Sequence, residues 1–163
     1  MSSIHVEVDG DTKRLMKRLQ LMGSVDIKGI NKSIAEGIRT STMERFRSEK
    51  DPEGKKWKTS IRAREEGGKT LTKSSKLKTS IRSTASAAGF AVGTNDIRAA
   101  TLQFGDERTI KPRRKPVLRF RVDGRWISAK QVHVKIPARP FLGLSEDDEK
   151  EIRKTLEQAL EES

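Results

Sequence analysis

The chain has 163 residues, 35 of them Lys or Arg and 23 Asp or Glu, for a formal net charge of +12, and it contains neither cysteine nor tyrosine. The length argues for a single domain, and the missing thiols exclude disulfide scaffolds, zinc fingers, ribbons and knuckles, and cysteine nucleophiles. Apolar side chains make up 33% of the chain, about 40% once the 12 glycines are added, which is below the roughly 45–50% of an average domain and leaves a thin core.

From the N-terminus, Ile4, Val6 and Val8 alternate with His5, Glu7 and Asp9, the period-2 pattern of a half-buried strand, and Asp9-Gly10-Asp11 supplies a turn. Thr12 then caps a short helix whose Leu15, Leu19 and Met22 share one face until Gly23 ends it. A longer helix comes next, with Asp26 as its N-cap. Ile27, Ile30, Ile34, Ile38 and Phe46 fall close to one stripe with Ala35 beside it, and Arg39, Glu44, Arg45 and Arg47 fall mostly outside. Asp51-Pro52-Glu53-Gly54 reads as a type I turn, with Pro second and Gly fourth. The stretch 48–75 has few apolar side chains beyond Trp57, Ile61 and Leu71 and carries eight basic residues around Gly67-Gly68. It is expected as a long mobile basic loop, of the kind that is either functional or disordered.

Leu77 and Ile81 fit one turn of a short helix, and 83–93 reads as two small-residue strands meeting near Gly89, with Phe90 and Val92 inward. Residues 96–103 suggest a brief helix capped by Asp96 and ended by Phe104-Gly105. A hairpin comes next: residues 117–122 and 125–128 alternate on either side of Asp123-Gly124, the signature of a type I′ turn. Val132, Val134 and Ile136 make a further strand, halted by Pro137. In the last helix Ser145 is the N-cap, Glu146, Asp147 and Asp148 fill the first turn, and Ile152, Leu156 and Leu160 repeat every four residues. Glu146/Lys150 and Glu149/Arg153 add i,i+4 pairs. These elements describe one α+β domain over 1–163: a small mixed or antiparallel sheet packed against the long helix and the C-terminal helix, with a protruding hairpin inserted at 108–135 and the basic loop at 48–75.

Charge is unevenly placed: residues 1–107 carry +7, 108–142 carry +10 and 143–163 carry −5. Lys111, Arg113, Arg114, Lys115, Arg119, Arg121 and Arg125 cluster on the hairpin and its approach, where Arg119 and Arg121 share a face opposite Leu118, Phe120 and Val122. That face suits phosphate contacts; equally, charge keeps an exposed edge hairpin soluble. Single-strand recognition by stacking is disfavoured, because the chain has only seven aromatic residues and only Phe120 and Trp126 lie near the cations. Catalysis and metal binding have little support. His5 and His133 read as exposed strand residues, Glu146 to Glu149 reads as a helix start rather than a calcium loop, and Gly67-Gly68-Lys69-Thr70 lacks the upstream glycine of a phosphate loop. No cofactor is expected. No apolar run approaches the ~20 residues of a membrane span, and the first residues lack a secretion signal, so a soluble intracellular protein is expected.

Three stretches carry a resemblance. Arg45-Phe46 followed by Asp51, Pro52, Gly54 and Trp57, then Leu71-Thr72 with Leu77, Ser80 and Ile81, and finally Gln103-Phe104-Gly105 with Ile136-Pro137-Ala138-Arg139-Pro140-Phe141-Leu142-Gly143 resemble the signatures of the phage virion morphogenesis, or tail-completion, family. The similarity spans roughly residues 4–160. Ala99, Ala100 and Leu102 stand where that family commonly has an aromatic residue and a histidine. The resemblance implies a non-enzymatic structural protein of the virion neck that completes the tail and joins head to tail. It further implies a ring-forming subunit, expected to be sixfold, whose partners are its own copies, the head connector or adaptor and tail-tube or tail-terminator proteins, with genomic DNA in the channel. Its place is the virion neck or tail, and the host cytoplasm during assembly.

Independently of the resemblance, Pro137 and Pro140 cannot donate ladder hydrogen bonds and so belong on a sheet edge or at strand ends, and Phe141 and Leu142 anchor the segment in the core. Arg139 is expected to pair with a carboxylate of its own domain or of a neighbouring subunit. Trp57, in a polar loop, is expected as a subunit contact, since buried aromatics anchor interfaces. The alternative reading is a nonspecific nucleic-acid-binding protein that uses the basic hairpin, and a small enzyme such as a nuclease comes third.

Overall fold

Helix α1 spans Gly10–Leu21 in a computed structural model that describes residues 10–23, 25–122 and 124–162; the strand expected at 4–8, His5 included, lies outside them. Thr12 is not the cap of this helix but its third residue, and it is buried together with Leu19. Helix α2 (Ile27–Ser48) begins where Asp26 accepts a hydrogen bond from the Gly29 amide at 2.9 Å. Its inward stripe holds Ile34, Ala35, Ile38 and Phe46 as expected, and also Asn31, Thr42 and Arg45. Glu49 ends it in a left-handed conformation.

The segment expected as a long loop is built otherwise. The turn at 51–54 closes as expected, with the Gly54 amide 3.0 Å from the Asp51 carbonyl. Ser60 then caps a short helix α3 (Ile61–Glu66) by accepting from the Ala63 amide at 3.2 Å, and Trp57, Ala63 and Thr70 are buried. Helix α4 (Lys76–Thr79) contributes Leu77, and Ile81 just beyond it is also buried. Strands β1 (Arg82–Ser86) and β2 (Gly89–Gly93) form the expected hairpin, antiparallel with Ser86 opposite Gly89, and lie against α2. Helix α5 (Ala99–Phe104) starts two residues later than a cap at Asp96 predicts, because the Asp96 side chain caps a preceding turn through the Arg98 amide at 2.9 Å.

Beyond α5 the chain runs out into a long arm. Strand β3 (Asp106–Ile110) pairs with β6 (Val132–Ile136) to form its root, while β4 (Leu118–Val122) pairs with β5 (Arg125–Ala129) as the expected hairpin. The sequence pattern gives no sign of β3. The described strands therefore form three separate two-stranded antiparallel ribbons rather than one sheet. Helix α6 (Glu146–Glu161) carries a full capping box, in which Ser145 accepts from the Asp148 amide and Asp148 accepts from the Ser145 amide. It packs on both α1 and α2. Lys150 pairs with Asp147 rather than with Glu146.

Two apolar clusters share α2. Toward its C-terminal end Phe46, Trp57, Leu77, Ile81, Ala99, Phe141 and Leu142 pack together; toward its N-terminal end Leu19, Ile34 and Ile38 meet Ile152 and Leu156.

Candidate assembly interface

The residues that carry the family resemblance converge in space. Trp57 is a core residue, not a surface anchor: its ring stands edge-on to Phe46 at 5.6 Å, Phe46 lies 5.2 Å from Phe141, and the indole N–H donates to the Pro140 carbonyl at 2.8 Å. Its burial corrects the expected subunit contact, because the polar neighbours in sequence say nothing of Phe141, 84 positions away. Arg139 is likewise buried and finds no carboxylate among the described residues. Its Nε donates to the Lys58 carbonyl at 2.7 Å and its amide to the Leu102 carbonyl at 2.7 Å, and burial lowers its pKa from the ordinary guanidinium value.

Gln103 acts as a piece of strand made from a side chain. Its Oε1 accepts from the amides of Phe141 and Leu142 at 3.0 Å each, and its Nε2 donates to the Leu142 carbonyl at 2.9 Å. Gln103→Leu leaves two buried amides without acceptors, so a loss of about 2–3 kcal/mol is expected in a denaturant titration. A midpoint unchanged from wild type would show that the segment re-pairs without the amide.

Arg45 completes the junction. Its Nη1 donates to the carbonyls of Phe141 at 3.1 Å and Gly143 at 2.9 Å, and its Nη2 makes a buried ion pair with Asp148. Burial lowers the Arg45 pKa, opposed by the charge and hydrogen bond of Asp148 and by the charge of Asp51. The expected turn residues close the junction from outside: a Cβ at Gly143 would meet the Pro52 ring at 2.9 Å. Glu49 ties in the 48–75 segment by accepting from the Thr70 amide at 2.7 Å. Burial raises its pKa, but the Thr70 hydrogen bonds together with Lys56 and Lys69 hold it below the usual carboxylate value.

The expected contact residues of the arm fall on the surface. Lys111, Arg113, Arg114, Lys115, Arg119, Arg121 and Arg125 are all exposed, and none forms an ion pair with a described carboxylate. Register separates the two faces of the hairpin. Arg119, Arg121, Trp126 and Ser128 lie on one side, with the Arg119 guanidinium 5.7 Å from the centre of the Trp126 ring. Leu118, Phe120, Val122, Ile127 and Ala129 lie on the other with Arg125; Val122 is 43% and Ile127 40% exposed. A reading of the cations alone misses this uncovered apolar row, although the alternation of 117–122 contains it. At the root, His133 is exposed as expected and meets Glu107 at 3.0 Å; its hydrogen bond, with that of Lys135, lowers the Glu107 pKa.

A separate cavity of about 560 Å³ lies between α1, α2, β2 and α6, lined by Met16, Ile34, Phe90, Val92 and Ile152 among others. Asn31 Oδ1 and Thr42 Oγ1, both on its α2 wall, are buried without a hydrogen-bond partner among the described residues. Among the described residues no cluster of His, Cys, Asp or Glu fits a metal ion, and no helix is long and apolar enough to cross a membrane.

No curated protein and no solved structure matches the chain. A sequence model of the phage virion morphogenesis family matches residues 8–161, nearly the whole length and including all three motif stretches that meet at the Arg45–Gln103–Phe141 junction. The chain therefore belongs to the phage virion morphogenesis family, whose members are structural, virion-associated proteins.

Proposed function

We propose that this protein is a non-enzymatic subunit of the virion neck that completes the tail and joins it to the head, and that it works as a ring-forming subunit through its arm. The observation that carries this reading is the uncovered apolar row of β4 and β5. A two-stranded ribbon is marginal in water by itself, and a row of Leu118, Phe120, Val122 and Ile127 left half in solvent calls for a protein surface to cover it. Its partners in this reading are copies of itself, in a ring expected to be sixfold, the head connector or adaptor, and tail-tube or tail-terminator proteins. Assembly takes place in the host cytoplasm.

Val122→Asp with Ile127→Asp tests it. Both positions are exposed, so the melting curve is expected to stay close to that of wild type, with each substitution costing within about 0.5 kcal/mol. Phage lacking the native gene and supplied with this variant are expected to accumulate heads and tails that do not join. A normal yield of infectious particles would remove the apolar row from the assembly mechanism.

A second reading has its own observation, the row of Arg119 and Arg121 without a carboxylate: nonspecific contact with nucleic acid, including genomic DNA in the neck channel. It requires DNA affinity that falls steeply with salt, and no affinity at low ionic strength would dismiss it.

A further inference from the structure

Residues 108–142, which include the arm, carry +10 and residues 143–163, which include α6, carry −5, and these two surfaces do not neutralise each other within the chain. The arm presents Arg119 and Arg121 on the face of β4 turned away from its apolar row, with Lys111, Arg113, Arg114 and Lys115 on its approach, all exposed. Helix α6 presents Glu146, Asp147, Glu149, Glu151, Glu157 and Glu161, all exposed, against Lys150, Arg153 and Lys154. Of these acids only Asp147 has a cation within ion-pair distance among the described residues, namely Lys150. Among those residues no ion pair joins arm to helix within the chain.

The spacings agree. Residues two apart on one face of a strand lie about 6.7 Å apart, and residues four apart on a helix rise about 6 Å. Arg119 and Arg121 therefore match a Glu157/Glu161 or Asp147/Glu151 pair, one cation to each carboxylate. Stacking on Trp126 holds Arg119 in place on that face. The apolar row behind it already requires a protein cover, so the cationic face is carried into protein surroundings as well.

We infer that the cationic face of the arm docks along α6 of a second copy of this chain. Such an interface is heterologous: arm and helix are different surfaces, so each copy offers one of each and association continues head to tail. The inference rests on the proposed role of the arm as a subunit contact and names the partner of one face.

The test uses sedimentation of the full chain. Wild type is expected to self-associate at 0.1 M salt and to dissociate at 1 M, as the screening length falls from about 10 Å to about 3 Å. Arg119→Glu/Arg121→Glu and Glu157→Lys/Glu161→Lys are each expected to weaken association by about tenfold or more, because each places like charges against each other. Mixing the two variants is expected to restore it, since the acidic arm then meets a basic helix and the native arm a native helix.

A mixture that stays monomeric, with both variants retaining the wild-type helical signal, overturns the inference, as does a wild-type chain that is monomeric at 0.1 M salt. An arm variant that loses affinity for duplex DNA but self-associates like wild type overturns it in favour of nucleic acid. An arm variant that self-associates normally but fails in particle assembly overturns it too, while leaving the arm a contact for another protein.

Discussion

Asp148→Asn is expected to lower stability by about 3–5 kcal/mol, the cost of removing one partner from a buried ion pair. Arg45 and Asp148 are 6% and 9% exposed, so neither charge has water to fall back on. The asparagine keeps an oxygen for the Ser145 amide, and the cap of α6 therefore survives. The substitution removes the counter-charge of a guanidinium that remains tied to the Phe141 and Gly143 carbonyls and cannot swing out to solvent without abandoning them. For a chain of this length the loss corresponds to roughly 6–20 °C in the melting midpoint.

Arg45→Met is expected to cost a similar amount, and the double variant less than the sum of the two, because the pair is lost only once. It should not return to wild-type stability, since two carbonyls still lack their donor. Additive losses across this cycle, or an Asp148→Asn midpoint within about 2 °C of wild type by the same scale, would mean that the pair contributes nothing specific.

The same residues show where sequence reading stops. Helices α2 and α6 are legible because their caps and apolar repeats are local, and the Asp-Gly link announces the β4–β5 hairpin. Strand β3 is not legible: Asp106–Ile110 has one apolar residue and four exposed side chains, and it is a strand only because β6, more than twenty residues on, supplies its hydrogen bonds. Trp57 is misplaced for the same reason, since its partner Phe141 is remote in sequence. Arg45 is within reach, because it lies seven positions beyond Ile38 and so falls on the same stripe of α2; its charge hides a periodicity its position satisfies.

The motifs of the family thus belong mostly to the frame. They join the 48–75 segment, α5 and the stretch after β6 into one junction, from which the paired root strands of the arm, β3 and β6, run out. The exposed charge and the uncovered apolar row lie on the β4–β5 hairpin of the arm, away from that junction.

Gly105 sits where β3 leaves that junction against the exit of β6, and Gly105→Ala is expected to be the more damaging of two glycine substitutions that look alike in sequence. Gly105 has φ 78° and ψ 173°, a region essentially reserved for glycine that costs other residues about 1–3 kcal/mol. A Cβ there would also stand 2.8 Å from the Ile136 carbonyl oxygen and 2.9 Å from the Ala138 amide nitrogen, both backbone atoms at the exit of β6. Overpacking adds about 1–3 kcal/mol, and the only relief is to push the two strands of the root apart at the Asp106–Ile136 pair.

Gly54, with φ 82° and no atom within 4 Å of an added Cβ, supplies the control: strain without collision, about 1–2 kcal/mol. Hydrogen exchange should therefore show amides of β3 and β6 losing more protection than those of α2 in Gly105→Ala, but not in Gly54→Ala. If the arm is the subunit contact proposed above, particle assembly should fail in the first variant under conditions where its body remains folded, because a displaced arm root carries the hairpin away from its partner. If both variants lose the same stability and the root amides keep their protection, the backbone at 136–138 accommodates a methyl group and the arm is aimed by something other than this contact.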